Sequence, residues 1–377
     1  MGHTLTRRGA LSGIAGLAML GVPAVGRAAA EIRIGRSLPL SGPFAEYGQQ
    51  RVAGADLFFE GINRQGGIAG QRIQLITLDD AYDAARLKQN IATLDEREQV
   101  HAMFGTLGPG LAASLQEFPE RKLPLIAATA GFSLRTPAHH FIFPMRPGFA
   151  EETAAIVRHI TTVGFSRICI VRQEGPLGTL GETGYLAALK ERGARPVATV
   201  TLKTDGSDAA QGAQALLASG CDCAVLSVGA ATLAKMVRAH APLGKLPAMF
   251  SVSAVNTSQL IAELGERAVG IGVSQVVPGP TNSKYAVVRE YAAAIGGSET
   301  VPSIYGLEGF LEAKLLVTGL QRAARGGGVS RATVTRAFDT LGEVDLGGYK
   351  VSYQPGVRTG SNFVDMTFIA RGGKIRS

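Results

Sequence analysis

Short apolar runs alternate with longer stretches of helical spacing along most of the chain. Between Tyr47 and Asn63 the apolar side chains recur with a period near 3.6 residues, which predicts an amphipathic helix. Strands that alternate with helices form parallel sheets covered by helices on both faces. We therefore predict an α/β fold. The runs predicted as strands are 32–34, 73–78, 100–104, 124–127, 168–171, 223–228, 248–252 and 269–277.

The length of the chain fits two domains built from successive series of these elements. We predict a first lobe from residues 31–145 plus 276–345, and a second lobe from 146–275 plus 346–377. Beyond residue 280 the pattern predicts helices at 284–295, 306–324 and 331–341, then strands at 349–353 and 363–369. No low-complexity linker separates the series. The predicted crossings, near Arg146, Gln275 and Leu346, are therefore short, which suits a hinge.

Residues 1–30 have the composition of an export signal rather than of a folded element. Arg7 and Arg8 precede an apolar Gly/Ala/Leu run, and small residues end it near Ala30. The order Thr-Arg-Arg-x-x-Leu resembles a twin-arginine signal, with the general export route as the alternative. A membrane anchor is disfavoured because the run is short, rich in glycine and interrupted by Pro23. We expect a periplasmic protein cleaved near Ala30. No cysteine stands directly after the predicted signal, so a lipid-anchored form is not expected.

Charge and cysteine content exclude several classes of function. A signal with three arginines and no acid leaves the mature chain a formal net charge of +5 instead of +8, without a basic stripe for nucleic acid. The three cysteines do not make a disulfide framework. Cys169 lies in an apolar run and is predicted to be buried. Cys221 and Cys223 open another apolar run, and we do not expect this pair to chelate a metal.

The motifs of common α/β enzymes are absent from the sequence. Pro39 stands where a dinucleotide-binding glycine loop would follow the first strand. Neither a Gly-x-Ser-x-Gly elbow nor a His-Glu-x-x-His helix occurs, and the adjacent His139 and His140 are poorly placed to share a metal. We therefore predict a protein that is not an enzyme and that uses no cofactor or metal.

Three ordered motifs resemble the leucine/isoleucine/valine-binding proteins. They are Pro-Leu-Ser-Gly at 39–42 followed by Tyr47-Gly48, the helix end and turn at 62–70, and Asp-Asp-Ala at 79–81. The resemblance extends over nearly the whole mature chain. It implies the type I periplasmic binding protein fold, with two Rossmann-like lobes, parallel sheets, three hinge crossovers and a ligand cleft. It also implies a small-molecule solute and the permease and ATPase subunits of an ABC importer as partners. The alternative is a receptor domain that senses a ligand for a signalling partner.

Ligands of open parallel sheets bind beyond the carboxyl ends of the strands. By family position, the loops at 106–109 and 128–131 correspond to those that hold the ligand's carboxylate, with Thr129 as a hydroxyl donor. Alternatively, the glycine and alanine residues of these loops only form tight turns and do not contact the ligand. The candidate ligand-binding residues are Ser41, Tyr47, Thr106, Leu107, Gly108, Ala128, Thr129, Ala130, Arg146, Phe149, Leu177, Gly229, Ser253 and Tyr305.

The chain departs from the family pattern at the site for a ligand's ammonium group. Branched-chain amino-acid binders carry a glutamate on the loop that corresponds to 251–255, where this chain has no acid. A buried ammonium without a counter-charge is unfavourable, so we expect an apolar or aromatic carboxylate to be preferred over leucine. Glu151 or Glu152 would restore ammonium binding if the first crossover directs it into the cleft. Arg146 contacts either an anionic ligand or only the hinge, and Glu308 is a candidate hinge or interface residue.

The export signal yields the first testable prediction. If Arg7 and Arg8 form a twin-arginine signal, replacing both with lysine leaves precursor in the cytoplasm. Cell fractionation with immunoblotting measures the distribution. Undiminished periplasmic protein from the double variant would contradict the twin-arginine route while leaving export itself intact.

Overall fold

The structure is a computed structural model. It describes residues 1–2, 31–42, 44–108, 110–130, 134–135, 139–296 and 300–376. The predicted export signal lies outside the described residues, apart from its first two positions. So do Pro43, Pro109 and positions 131–132 of the predicted ligand loops.

The first sheet has five parallel strands in the order β2-β1-β3-β4-β5. Ile32 lies opposite Ile73 and Ile34 opposite Ala102, so β1 is enclosed by two neighbours. All five strands are parallel to their partners, which brings their carboxyl ends to one edge of the sheet. The strands are β1 (Ile32–Leu38), β2 (Ile73–Asp79), β3 (Ala102–Phe104), β4 (Leu125–Ala128) and β5 (Ile142–Pro144).

Helices cover both faces of the first sheet. One face packs against Phe59 and Leu311 in the larger apolar core, and the other against Leu87 and Phe118. On the first face lie α1 (Ala45–Arg64), α10 (Ala286–Ile295), α11 (Ile304–Arg325) and α12 (Arg331–Asp339). On the second lie α2 (Ala84–Ala92), α3 (Gly110–Ser114) and α4 (Glu117–Glu120), with a π-helical turn at Thr93–Arg97 after α2.

The second sheet has seven strands in the order β15-β14-β10-β9-β8-β6-β7. Five run parallel, whereas β14 is antiparallel to both β10 and β15. The strands are β6 (Ile168–Gln173), β7 (Ala198–Leu202), β8 (Cys223–Ser227), β9 (Ala248–Ser251), β10 (Gly272–Gln275), β14 (Asp365–Ile369) and β15 (Ile375–Arg376). The helices are α5 (Phe149–Thr162), α6 (Pro176–Glu191), α7 (Ala209–Ser219), α8 (Ala230–His240) and α9 (Thr257–Leu264), with 3₁₀ turns at Gly265–Ala268 and Arg371–Gly373.

A small antiparallel sheet corrects the predicted boundary between the lobes. It consists of β11 (Gly342–Asp345), β12 (Lys350–Gln354) and β13 (Val357–Gly360). Leu346, Tyr349 and Tyr353 are buried in the core of the first lobe, not of the second. Tyr353 Oη donates to the carbonyl of Pro144 at 2.9 Å. Placing residues 346–360 in the second lobe was therefore wrong, because these apolar side chains are buried against α12 and β5.

The chain passes between the two large sheets at 145–148, 276–285 and 361–364. The predicted crossing near Leu346 was wrong, since the chain returns only after β13. Ser361 N donates to Met145 O at 2.6 Å, so the third crossing runs beside the first. Among the described residues, none of the helices combines the length and the apolar character needed to cross a bilayer.

Close contact between α1 and α11 depends on glycine. A methyl group at Gly54 would overlap the carbonyl of Gly306, and one at Gly309 would overlap the carbonyl of Arg51. The two helix backbones therefore lie nearer to each other than any side chain would allow. This contact fixes where the charged side chains of α1 and α11 stand relative to one another.

We predict that Gly54→Ala and Gly309→Ala each lower the free energy of unfolding by ~1–3 kcal/mol, because the added methyl forces the helices apart. Urea denaturation measures the change. Gly61→Ala on α1 is the matched control, since its methyl would lie 3.9 Å from the nearest atom, Arg64 Nη2. We expect it to be neutral or stabilising by up to ~1 kcal/mol. Equal destabilisation by all three variants would contradict the close-contact interpretation.

Candidate functional site

Arg146 joins the two lobes at the first crossover. It lies between β5 and the glycine that precedes α5, and its side chain is 10% exposed. Its Nη1 donates to Glu308 Oε1 of α11 at 3.2 Å. Its Nη2 donates to Glu152 Oε1 of α5 at 3.2 Å and to Ser253 Oγ, after β9, at 2.6 Å. One guanidinium group therefore bonds to groups of both lobes.

Glu152 lies at the centre of the second-lobe half of the site. Its Oε2 accepts from Ser253 N at 2.7 Å and from Ser274 Oγ at 2.6 Å. Its Oε1 accepts from Ser253 Oγ at 3.0 Å as well as from Arg146. A carboxylate has about four acceptor positions, and four donors occupy them here. The predicted acid-free loop 251–255 thus binds an acid supplied by α5, which the sequence alone raised only as an alternative.

The first-lobe half of the site is a buried ionic group on α1 and α11. Arg51 is ion-paired with Glu312, and its Nη2 lies 3.7 Å from Glu308 Oε1. Burial would raise the pKa of Glu308, but the charges of Arg51 and Arg146 outweigh burial and hold that pKa below its usual value. Burial would likewise lower the pKa of Arg146, but Glu308, Tyr47 and Glu152 raise it. Both groups are therefore charged at neutral pH.

Two tyrosines stand beside this group. The rings of Tyr47 and Tyr305 meet edge to face, with their centroids 4.2 Å apart. Arg51 Nη1 donates to Tyr47 Oη at 3.0 Å. Burial raises the pKa of Tyr47, and the charge of Glu308 adds to this effect. Burial, with a further contribution from Tyr47, also raises the pKa of Tyr305. Both phenols therefore remain protonated at neutral pH.

The loops after β3 and β4 are bonded to each other near the arginines. Leu107 and Thr129 form an isolated parallel bridge, in which Thr129 N donates to Thr106 O at 2.9 Å. Gly108 N donates to Thr129 O at 3.4 Å. Thr129 Oγ1 accepts from Arg51 Nη2 at 3.1 Å. Thr106 Oγ1 is buried and has no hydrogen-bond partner among the described residues.

A small cavity lies where these loops meet the first crossover. Its volume of about 10 Å³ is the room of about one water molecule. At its rim Arg135 forms an ion pair with Glu151, at 3.0 Å between Nη1 and Oε1, so the two lobes are in contact there. The cavity is lined by Ala128, Ala130, Leu134, Arg135, Pro144, Arg146, Gly148 and Glu151.

Four of the predicted ligand-binding residues have other surroundings. Ser41 is exposed and donates to Asp79 Oδ2 at 2.5 Å. Phe149 is buried in the core of the second lobe, and Leu177 packs against that core. The N–H of Gly229 donates to Gln173 Oε1 at 2.8 Å. Solute contact by any of the fourteen candidates remains a prediction.

Arg146 forms a charged group with Arg51, Glu152, Glu308 and Glu312. The candidate ligand-binding residues predicted from the sequence include only Arg146 of these five. Arg51 and Glu312 were not considered, whereas Glu152 and Glu308 were mentioned as alternatives only. A signal was present, because Arg51 follows Tyr47 by one helical turn and Glu312 follows Glu308 by one turn, each on a face that is otherwise apolar. A charged residue on a buried helix face requires a partner.

One protein family model covers nearly the whole described chain, whereas individual relatives align over shorter stretches. A family model described as "Periplasmic binding protein" matches residues 31–368. A "Leu/Ile/Val-binding protein homolog 7" of Brucella suis is 33% identical over 93 residues, which is 25% of this chain and 23% of that protein. A "Leucine-, isoleucine-, valine-, threonine-, and alanine-binding protein" of Pseudomonas aeruginosa is 35% identical over 82 residues, 22% and 21% of the two chains. The aligned stretch thus spans less than a quarter of either relative.

Solved structures match over much greater lengths. A "possible leucine/isoleucine/valine-binding protein" from Rhodopirellula baltica superposes with a TM-score of 0.84 at 26% identity, over 94% of this chain and 98% of that one. A "branched chain amino acid ABC transporter" of Thermus thermophilus with bound valine has a TM-score of 0.82, over 92% and 95% of the two chains. Its identity of 16% supports the fold alone. The predicted α/β fold, with two lobes built on parallel sheets, is confirmed.

We predict that Glu152→Ala lowers the free energy of unfolding by ~3–5 kcal/mol, because it leaves Arg146 with one charged partner and removes the acceptor of the Ser253 hydroxyl and of the buried Ser274 hydroxyl. Chemical denaturation measures the change. Glu343→Ala is the control, since its ion pair with Lys350 is exposed and contributes little. Equal effects from the two variants would show that the buried group does not stabilise the fold.

Proposed function

Because the chain belongs to the periplasmic binding protein family, we propose that it captures a small organic solute between its two lobes and delivers it to the permease and ATPase subunits of an ABC importer. In this role it binds the solute without converting it. Proteins of this family are located in the periplasm. Export by the signal at residues 1–30, with cleavage near Ala30, is part of the proposal.

The observation that carries this proposal is the position of Arg146. Its bonds to Glu308 in one lobe and to Glu152 and Ser253 in the other exist only while the lobes are together. A ligand shifts such an equilibrium only through contacts that are better in the closed form. A solute held by the loops after β3 and β4 adds contacts of that kind beside the same arginine.

We propose an apolar or aromatic carboxylate as the solute. The nearby acids already have protein partners: Glu152 has four donors, Glu308 is paired with two arginines, and Glu151 with Arg135. A ligand's ammonium would therefore compete with an existing bond. For a carboxylate, the hydroxyl of Thr106, which has no partner in the part of the chain that the structure describes, supplies a donor. The aromatic edges of Tyr47 and Tyr305 suit an apolar tail.

An amino acid is the second candidate solute, and one observation favours it. Two arginines and three glutamates make up the charged group, so its formal net charge is −1. A ligand that carries an ammonium would be attracted by the excess acid. The names of the relatives from Brucella and Pseudomonas also point to amino acids.

Calorimetric titration separates the two candidates. We expect phenylacetate or a branched-chain keto acid to bind at least tenfold more tightly than leucine, isoleucine or valine. Thr106→Val should weaken the carboxylate by ~10-fold or more, since a hydrogen bond to a charged group contributes ~1.5–3 kcal/mol. Thr199→Val, on the exposed face of β7, is the matched control. Micromolar binding of a branched-chain amino acid with no comparable acid would overturn the carboxylate proposal.

A further inference from the structure

Two tyrosines of the small antiparallel sheet are bonded to the segments that cross between the lobes. Tyr353 lies in β12 and Tyr349 directly before it, and both side chains are fully buried in the core of the first lobe. Tyr353 Oη donates to the carbonyl of Pro144, directly before the first crossing, at 2.9 Å. Tyr349 Oη donates to the carbonyl of Val276, the first residue of the second crossing, at 3.1 Å. Each hydroxyl therefore holds a different crossing.

The bond made by Tyr349 extends from the first lobe to the second-lobe end of a crossing. Val276 comes directly after β10, which is a strand of the second sheet, whereas Tyr349 belongs to the core of the first lobe. Rotation of the second lobe away from the first would therefore move the acceptor relative to its donor. The bond made by Tyr353 lies within the first lobe, since Pro144 ends β5, and it fixes the point at which the first crossing begins.

The third crossing is packed against the same tyrosine and against the other two crossings. Ser361 N donates to the carbonyl of Met145, in the first crossing, at 2.6 Å. The ring of Phe363 contacts Tyr349 on one side and Tyr285, at the end of the second crossing, on the other. The centroid distances are 5.7 and 5.8 Å. A change in the conformation of one crossing would thus disturb the packing of the other two.

The two phenols act only as donors toward these carbonyls. Burial raises the pKa of both Tyr349 and Tyr353, so both hydroxyls are protonated at neutral pH. Lobe closure in hinged proteins is absorbed by changes in φ and ψ at a few positions in the connecting segments. Turning a crossing carbonyl away would leave a buried hydroxyl without its acceptor, which is unfavourable. The two hydrogen bonds therefore oppose rotation of the peptide groups to which they are made.

We propose that Tyr349 and Tyr353 are positioning residues for lobe closure, because their hydroxyls hold the first and second crossings in the conformation that brings the lobes together. They favour the closed arrangement without touching the solute. The proposal rests on the proposed capture of a solute between the lobes. Replacing either residue with phenylalanine removes the hydroxyl and keeps the buried ring, so the variant isolates the hydrogen bond.

The test compares Tyr349→Phe and Tyr353→Phe with the matched control Tyr185→Phe. Tyr185 of α6 is also fully buried, and its Oη donates to the carbonyl of Leu226 at 3.0 Å. Both of these residues lie inside the second lobe, so their bond involves no crossing. Each of the three variants therefore loses one buried hydroxyl that donates to a backbone carbonyl, and only two of the lost bonds belong to the crossings.

Two measurements are made on the protein without solute. We expect small-angle scattering to give a larger radius of gyration for both crossing variants than for the wild type. Hydrogen exchange followed by mass spectrometry should be faster in peptides that cover 145–148, 276–285 and 361–364. The effect of Tyr349→Phe should be the larger, because its bond extends to the second-lobe end of a crossing. Tyr185→Phe should match the wild type in both measurements.

Calorimetric titration then connects the crossings to solute binding. Phenylacetate and leucine are titrated separately, and a probe that binds the wild type should bind Tyr349→Phe ~2–10-fold more weakly, the equivalent of one hydrogen bond. The apparent affinity falls because less of the protein is in the arrangement that holds the solute. Tyr185→Phe should keep the wild-type affinity. Failure of both probes to bind the wild type would contradict the proposed solutes, whereas scattering and exchange still decide the role of the tyrosines.

Two results would count against the positioning role. One is a Tyr349→Phe variant with the radius of gyration and the exchange rates of the wild type. The other is an equal change in all three variants, which would show a general loss of stability and not a property of the crossings. Circular dichroism shows whether each variant is folded. If one crossing variant fails to fold, the comparison of the other with Tyr185→Phe decides the matter.

Discussion

The charge of Arg146 must be neutralised where the chain first crosses between the lobes, and this requirement organises the site. A buried guanidinium is stable only with nearby acids and enough acceptors. Glu308 comes from the first lobe and Glu152 from the second, so neither lobe alone meets the requirement. Separating the lobes would remove at least one of these bonds. Water would have to replace it as the partner of the separated charges.

Local patterns predicted most of the large elements, because those depend on periodicity within one segment. The helix predicted from the stripe between Tyr47 and Asn63 is α1, and the late helices and strands also lie close to their predicted positions. The missed strands are β5, β7, β11, β13 and β15. β7 alternates with exposed polar residues, and β11, β13 and β15 are short and carry polar or exposed residues, so no apolar run marks these four strands. β5 lies in the apolar run 141–145 but has only three residues. The choice of lobe for residues 346–360 depended on packing against distant segments, which periodicity does not encode.

The charged group was harder to predict than the loops. Family position and strand order indicated the loops around Thr106 and Thr129, and the structure bonds them together. The partners of Arg146 are distant in sequence, since Glu308 lies 162 positions away and Ser253 lies 107. The absence of an acid between residues 251 and 255 was correctly read from the sequence. The sequence did not show that an acid from a different helix, Glu152 of α5, occupies the space beside Ser253.

The close contact between α1 and α11 at Gly54 and Gly309 bears on the conformational entropy that solute binding would cost. Because the two helices are in close contact at these glycines, the fold itself sets the relative positions of the backbones that carry Arg51, Glu308 and Glu312. Their conformational entropy is lost once, during folding, and not again at each binding event. The first lobe thus acts as a preorganised template. In the proposed closure of the lobes, the remaining adjustment would fall on the three crossing segments and on the side chains of the opposite lobe.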